Sequence, residues 1–460
     1  MIDNAIFKKY DIRGTAVGDE AVITPEIARL VGQAFGTYLQ QEHNQRTVIL
    51  GHDNRSTSPE LAEAASAGLV SAGCAVIEIG MVSTPLVYWH AVQRDDAGGF
   101  MVTGSHLAPA YNGFKLSVGS RSLYGPQIQA VRGLATSSRR YMGGEGEARH
   151  DDRAYAAYID DLAGRIRLNR PLHVVIDPGN GTAGVFAPTL FERWGVQVDC
   201  IFCEPDGSYP NHQPDPQKSA NMVALGERVR AVGADLGIAF DGDADRMGAV
   251  DEHGAMIAAD RLLALLARDM LGRNPGAAVV ADVLSSQVLF DAVRRAGGQP
   301  VMWASGHSLV KNKMREIGAL LGGEMSGHIF LGEDYYGFDD AYLAAGRLLQ
   351  VVAAADQPLS ALNADLPSLY STPEYRPACA EHHKDTVIEG VKTALAGRGE
   401  IVDVDGVRVQ FEHGWGLLRA SNTEPVLSLR FEGKSKADAH YYRDLFADVL
   451  RAYPFVGPLT

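Results

Sequence analysis

The chain has 460 residues, 46% hydrophobic and 21% charged, which suits a globular protein of several domains, and its formal net charge is −14. An acidic chain without basic blocks excludes nucleic acid and anionic membrane as natural partners, because neutralising their phosphates needs clustered Lys and Arg; a small anionic substrate stays open, since a few cleft residues can reverse the local field. No apolar run reaches the ~18–20 residues that cross a bilayer, Met1-Ile2-Asp3-Asn4 lacks signal-peptide character, and four cysteines are too few for a disulfide framework, so a cytoplasmic location is expected.

The first predicted unit is a strand over 47–53, a Ser/Pro turn, an Ala-rich helix from Glu60, a stop at Gly73 and a second strand over 75–79. The apolar run 99–102 reads as a strand that ends in Thr103-Gly-Ser-His-Leu-Ala-Pro-Ala-Tyr-Asn-Gly-Phe-Lys115. Ser105 beside His106 suggests a nucleophile, although adjacency in sequence does not give hydrogen-bond geometry. Asn112-Gly113 turns the chain back and brings the cation Lys115 near the serine. The Gly/Ser-rich stretch 137–146 marks a boundary near 150.

The second unit begins with a strand over 173–177, passes Gly179-Asn-Gly181, runs as a helix to Trp194 and resumes at Val196. Cys200 and Cys203 fall in what reads as one strand, 196–203. Positions three apart in a strand face opposite sides, so core packing is expected there rather than zinc or redox use. The run Leu236-Gly-Ile-Ala-Phe240 then leads into Asp241-Gly-Asp-Ala-Asp-Arg246. Three carboxylates can converge here if the chain turns, which Gly242 permits, and they then need a cation to relieve their repulsion. All-oxygen ligands select a hard metal such as Mg²⁺. An EF-hand calcium loop, with Glu252 as its last ligand, is rejected because Arg246 stands where Gly is needed and the flanks read as strands.

The third unit has a strand over 278–282, a helix over 286–295, a stop at Gly297-Gly298 and a strand over 300–303. Asp53, Asp177 and Asp282 end the three first strands, where open α/β sheets bind ligands or where Asp simply caps the next helix. In Gly322-Gly-Glu-Met-Ser-Gly-His328, the residues Glu324, Ser326 and His328 alternate and would face one way in an extended chain, which suits the hydroxyls of a sugar. A smaller α+β region closes the chain: a helix over 384–396, a hairpin over 400–411 turning at Asp405-Gly406, further strands near 417–418 and 426–431, and a last helix from about Ala437. Its loop Arg419-Ala-Ser-Asn-Thr-Glu-Pro425 combines a guanidinium, hydroxyls and an amide, as a dianionic phosphate requires. Taken singly, each of these four loops also has a plainer reading as turn or capping chemistry.

The repeats give an α/β fold class: three tandem related α/β domains with mixed sheets (1–150, 151–254, 255–368) and a smaller C-terminal α+β domain (369–460). Together with Lys9-Tyr-Asp-Ile-Arg-Gly14, Pro205-Asp-Gly-Ser-Tyr-Pro-Asn-His-Gln-Pro-Asp215 and Ser305-Gly-His-Ser308, the four loops resemble the α-D-phosphohexomutase superfamily, most of all its phosphomannomutase/phosphoglucomutase branch, over the whole chain and in family order. Met325 favours that branch over the amino-sugar branches.

The resemblance implies four domains around a central cleft and a phosphoserine at Ser105 that exchanges its phosphoryl group with a hexose phosphate through a 1,6-bisphosphate. It implies Mg²⁺ on Asp241, Asp243, Asp245 and a Ser105 phosphoryl oxygen, with hexose 1,6-bisphosphate as activator. Arg13, Lys115 and Arg246 would stabilise the moving group, and Lys115, His106 and His328 are alternatives for proton transfer. Glu324 and Ser326 would hold sugar hydroxyls, Tyr10, Gly306 and His307 would line the substrate site, and Arg419, Ser421, Asn422 and Thr423 would grip the idle phosphate. Phosphate binding would close the cleft about a hinge near 368.

Three positions depart from the branch. Leu107 and Ala108 replace the Asn-Pro that usually follows Ser-His, which is expected to loosen the serine loop, and Leu284 replaces a lysine expected to touch substrate. A mutase for another sugar phosphate, a non-catalytic sugar-phosphate binder and a sugar phosphatase are the competing readings. Mannose against glucose, and oligomeric state, are not legible.

Overall fold

The computed structural model describes residues 2–137, 145–421 and 424–459. Its first three sheets share one design. A central first strand (Thr47–His52, His173–Asp177 or Ala278–Asp282) is flanked by two parallel strands. One flank is the second strand of the unit (Ala75–Met81, Gln197–Cys200 or Gln299–Trp303). The other is the third (Gly98–Val102, Leu236–Phe240 or Leu321–Gly323), which then pairs antiparallel with a fourth (Tyr111–Val118, Met247–Val250 or Ile329–Leu331). Gly98–Val102 and Leu236–Phe240 are buried along their whole length, which is why they read as unbroken apolar runs. The first sheet gains Ile12–Thr15 and Glu147–His150 at its edges.

The helices follow local signals. Pro25–His43 starts where Thr24 Oγ1 accepts from Ile27 N at 3.3 Å, and it stops at Asn44 in the left-handed region. It crosses Ser58–Ser71 at close range through two glycines. A Cβ on Gly32 would stand 2.4 Å from Ala65 O, and one on Gly68 would stand 2.1 Å from Arg29 O. One apolar cluster runs through all three units and includes Met101, Tyr158, Phe240 and Tyr342. No described helix is long and apolar enough to cross a membrane.

The last region is a five-stranded antiparallel sheet backed by the helices Glu381–Ala394 and Lys436–Leu450, with a core of its own. It meets the third unit through buried Arg408. That guanidinium donates to Val283 O at 2.7 Å and Ser285 O at 2.8 Å, and it lies 3.8 Å from the centre of the Trp415 ring. Leu284 packs beside that apolar contact, its carbonyl taking Arg430 Nη1 at 2.7 Å.

The C-x-x-C differs from expectation. The strand stops at Cys200, the chain turns at Phe202 with φ +53°, and the two sulfurs are brought together instead of facing opposite sides. The predicted boundary stretch 137–146 lies largely outside the described residues.

The helix crossing yields a test. Gly68→Val forces a side chain into the Arg29 carbonyl and should lower stability by about 1–3 kcal/mol, as overpacking does. A melting temperature equal to that of the parent would show that the two helices do not depend on this approach.

Candidate active site

The three repeated units each place a polar loop between their third and fourth strands. Residues 103–110, 241–246 and 324–328 fill that position. The strand-end aspartates hold the loops in place. Buried Asp53 accepts from Arg55 N at 3.0 Å, Gly104 N at 3.0 Å, Arg55 Nε at 3.2 Å and from Ser58 Oγ. Arg55, equally buried, donates to four carbonyls of the serine loop: Ala108 (2.7 Å), Tyr111 (2.9 Å), Ser105 (2.8 Å) and Leu107 (2.7 Å). Tyr209 lies over its guanidinium at 5.1 Å. The loop is therefore gripped through its backbone, and the Leu107 and Ala108 side chains take no part in the grip.

That grip holds Ser105 at φ +49°, a conformation few non-glycine residues adopt. Ser105 Oγ donates to Asp241 Oδ2 at 2.9 Å and lies 3.1 Å from His106 Nδ1. Asp241, Asp243 and Asp245 are fully buried, with ligand oxygens within 4.8 Å of one another. The turn that gathers them is not made at Gly242 by a positive φ; Ala244 takes that conformation, at φ +54°. Gly242 serves close approach instead, since a Cβ there would stand 2.5 Å from Ser105 O. Strands flank this loop on both sides, and Glu252 accepts from Ser360 N at 3.2 Å, which fits no calcium loop.

Cations surround the carboxylates. Lys115 Nζ donates to Asp243 Oδ2 at 2.6 Å and also to Asp245 Oδ2. Arg246 N donates to Asp241 Oδ1 at 3.2 Å, and His328 Nε2 stands 3.5 Å from Asp245 Oδ1. Burial and its two acidic neighbours push the Asp241 carboxyl well up. Burial also raises Asp245, but Lys115 and His328 outweigh it and hold that carboxyl well down. Oδ1 of Asp243 and of Asp245 are buried with no hydrogen-bond partner among the described residues, so the donor set fits a hard divalent cation.

The sugar-type loop is a tight turn, not extended chain: Gly327 N donates to Glu324 O at 3.0 Å. The three expected side chains still meet, because His328 Nδ1 lies 2.7 Å from Ser326 Oγ and 3.2 Å from Glu324 Oε2. Burial lowers His328, but Asp245 and Glu324 outweigh it and lift the imidazole to about 9. His106 goes the other way: burial, then Arg246 and Arg13, hold it well below its usual range. Glu324 Oε1 also accepts from Gly306 N at 2.5 Å, and His307 stacks on His328 at 5.5 Å. Tyr10 donates to Ser305 O at 2.9 Å.

In the fourth region, Arg419 Nε donates to Asp405 Oδ2 at 2.8 Å. Buried Lys384 ties the following loop through Ser421 O and Glu424 O, both at 2.8 Å. Asn422 and Thr423 lie outside the described residues. A cleft of about 270 Å³ joins the four regions and is lined by Tyr10, Arg13, His106, Arg246, Gly306, His307, Glu324, Ser326, His328, Arg419 and Ser421. Ser105, Lys115 and the three aspartates adjoin it through His106 and Arg246.

Several organising residues carry no role that the sequence alone assigns: Arg55 and Thr84 lie outside the motifs, and Tyr209 and Gln213 lie within the segment 205–215. Arg55 and Tyr209 set the serine loop. Thr84 donates to Asp243 Oδ2 at 2.5 Å, and Gln213 Nε2 donates to His106 O at 2.6 Å. Their partners are 50 to 159 residues away, so local pattern carries no signal for them. Leu284 is not in the cleft lining.

Comparison with known proteins agrees with this architecture. Family models for phosphoglucomutase/phosphomannomutase match in order: alpha/beta/alpha domain I at residues 4–139, domain II at 156–254, domain III at 258–370 and the C-terminal domain at 375–449. The chain is 43% identical over 449 residues to a phosphomannomutase/phosphoglucomutase of Pseudomonas aeruginosa, covering 97% of this chain and 96% of that one. It is 40% identical over 462 residues to a phosphoglucomutase of Neisseria gonorrhoeae, covering 100% and 99%. A crystal structure of a phosphoglucomutase/phosphomannomutase family protein from Burkholderia thailandensis matches at a TM-score of 0.92 and 39% identity, over 98% of each chain.

The Arg55 grip predicts that Arg55→Leu, which strands Asp53 unpaired in the interior, costs about 3–5 kcal/mol. Arg55→Lys keeps the charge but loses the fork and should fall between. Urea unfolding reads both, and a midpoint unchanged in Arg55→Leu would refute the grip.

Proposed function

The chain belongs to the phosphoglucomutase/phosphomannomutase family, and we propose that it interconverts hexose 1-phosphate and hexose 6-phosphate, of glucose, mannose or both, through a phosphoserine at Ser105. The observation that carries this is the position of Ser105. Its hydroxyl meets Asp241 at 2.9 Å, beside a cleft that draws residues from all four regions.

Phosphoryl transfer asks little of the protein beyond positioning and charge stabilisation. The phosphorus–Oγ bond of phosphoserine breaks as a sugar oxygen attacks, giving the 1,6-bisphosphate. After the sugar turns over, the other phosphate returns to Ser105. Asp241, Asp243 and Asp245 would hold Mg²⁺, which supplies positive charge for the phosphoryl oxygens. Arg246 reaches the serine side through its 2.6 Å contact with His106 Nδ1, and with Arg13 and Lys115 it would stabilise the moving group. Of the three candidates for proton transfer, His106 is held well below its usual range by burial and the nearby arginines, which suits it to accept, while against burial Lys115 is held up by Asp243 and Asp245 and His328 by Asp245 and Glu324, which suits them to donate. Glu324 and Ser326 offer hydroxyl contacts, with Tyr10, Gly306 and His307 around them, and Arg419 and Ser421 offer a phosphate grip from the fourth region, which Asn422 and Thr423 would complete. With domains at 1–150, 151–254, 255–368 and 369–460, the substrate would lie where all four meet. A cytoplasmic setting and activation by hexose 1,6-bisphosphate complete the proposal.

A coupled assay with Mg²⁺ and a trace of glucose 1,6-bisphosphate tests it. Glucose 1-phosphate or mannose 1-phosphate should turn over, and Ser105→Ala should abolish the activity. Parental turnover in Ser105→Ala would overturn the phosphoserine route. Asp243→Asn should weaken Mg²⁺ binding at least tenfold by calorimetry, the scale of one lost charged contact, about 1.5–3 kcal/mol.

The cleft should also close on its ligand. Arg261 pins the chain up to Pro367 by contacts of 2.5 Å to Asn363 Oδ1 and 2.9 Å to Pro367 O, so rotation of the fourth region would begin just beyond it. The ligand-saturated enzyme should scatter as a more compact particle than the free one. Superimposable profiles would rule the hinge out.

A further inference from the structure

Arg376 lines the same cleft, on the fourth region, together with Arg419 and Ser421. Its backbone is fixed from both sides. Tyr375 N donates to Leu429 O at 2.8 Å, Leu429 N returns the bond at 2.9 Å, and Leu427 N donates to Pro377 O at 3.0 Å. Pro377 also keeps the residue before it extended. The root of the side chain is rigid, while the guanidinium is half exposed, at 46%.

Among the described residues that guanidinium is engaged through Nη2, which donates to Glu424 Oε2 at 2.6 Å. Glu424 is itself 54% exposed and stands at the end of the loop that follows Arg419. A pair this open to water adds little stability and exchanges readily for a stronger anion. A phosphate dianion is such an anion, and a guanidinium fork meets two of its oxygens at once.

The charge pattern of the cleft points the same way. Four arginines line it, Arg13, Arg246, Arg376 and Arg419, against two glutamates, Glu324 and Glu374, the latter accepting from Ser428 Oγ at 2.6 Å. Each arginine rests on a carboxylate outside that lining: Asp11, Asp241, Glu424 and Asp405 respectively. Arg13 and Arg246 act on His106, the neighbour of Ser105, while Arg376 and Arg419 belong to the fourth region. A hexose bisphosphate carries two dianions, and this arrangement offers each of them two guanidiniums.

We propose that Arg376 is a substrate-binding residue, which joins Arg419 to take the phosphate group farther from Ser105. The inference rests on the mutase reading and adds a residue to it. Because that phosphate is held in both orientations of the sugar, the contribution of Arg376 is the same for the 1-phosphate and the 6-phosphate.

The test uses the full-length protein. In a Ser105→Ala background, calorimetry measures glucose 1-phosphate and glucose 6-phosphate with and without Arg376→Gln. Loss of one charge-assisted contact should raise both dissociation constants about tenfold. Arg376→Lys should recover part of the loss, with the melting temperature unchanged throughout. In steady state on Ser105 protein, Arg376→Gln should move KM more than kcat, whereas a purely structural lesion would lower kcat and the melting temperature together. Parental affinity for both sugars in Arg376→Gln, in a protein whose Ser105 form isomerises them, would overturn the assignment and leave the mutase reading intact. A parent that neither binds nor isomerises a hexose phosphate would overturn both.

Discussion

Three buried carboxylates within 4.8 Å of one another are the constraint on which this structure turns. Two like charges about 4 Å apart, at an effective dielectric of about 20, repel by about 4 kcal/mol. The cluster can persist only if cations are brought to it, and two of the three come from distant parts of the chain. Lys115 arrives from the first unit, Arg246 sits within the loop itself, and His328 arrives from the third. The acid loop thus draws the first and third units toward the second. Charge is shared unevenly as a result, with Asp241 pushed up and Asp245 held down. A divalent cation in the same place would relieve that imbalance, which is a physical reason for a metal-dependent site to be assembled here.

The repeat explains how three separate loops reach one point. Each lies between the third, parallel strand and the fourth, antiparallel strand of its sheet. A reversal of direction at that edge leaves a short connection whose ends are fixed by ladder hydrogen bonds. The strand-end aspartates add a second anchor. Asp53 ties Gly104 and Arg55, Asp177 takes His212 at 3.0 Å, and Asp282 takes Ser305 Oγ at 2.9 Å and Met325 N at 3.3 Å. These side chains organise loops, which goes beyond the capping role their position in sequence also allowed. Main-chain pairing then welds the units: Met247 N donates to Gly327 O at 3.1 Å, joining the acid loop to the sugar-type loop.

What could be read from sequence was local. The alternation Asp241, Asp243, Asp245 after an apolar strand, the Ser-His pair at another strand end and the hairpin at Asp405-Gly406 each carry their signal within a few residues. What could not be read depends on distant partners. Arg55 looks like an ordinary turn residue until the carbonyls of residues 105–111 are set around it. Gly242 reads as the turn-maker, but Ala244 takes the positive φ, and Gly242 instead admits Ser105 O from another unit where a Cβ would stand. The pairing of Cys200 with Cys203 depends on the strand ending at Cys200 and the chain turning at Phe202, which the strand-like run 196–203 does not signal.

The three departures from the family pattern have a common physical reading. A loop ordered by side chains is sensitive to their replacement, but the serine loop is ordered by carbonyls that every residue type provides. The guanidinium of Arg55 binds Leu107 and Ala108 as it would bind any residues there, so the side chains at those two positions are released from the task of holding Ser105. Leu284 sits in the same kind of place: its carbonyl accepts from Arg430, while its side chain joins the apolar contact beside Trp415 between the third and fourth regions. A side chain can be replaced without losing the structural bond where the backbone makes that bond, and these positions meet that condition. The reacting groups do not meet it, for Ser105, the three aspartates and Arg246 act through their side chains, and all of them are present.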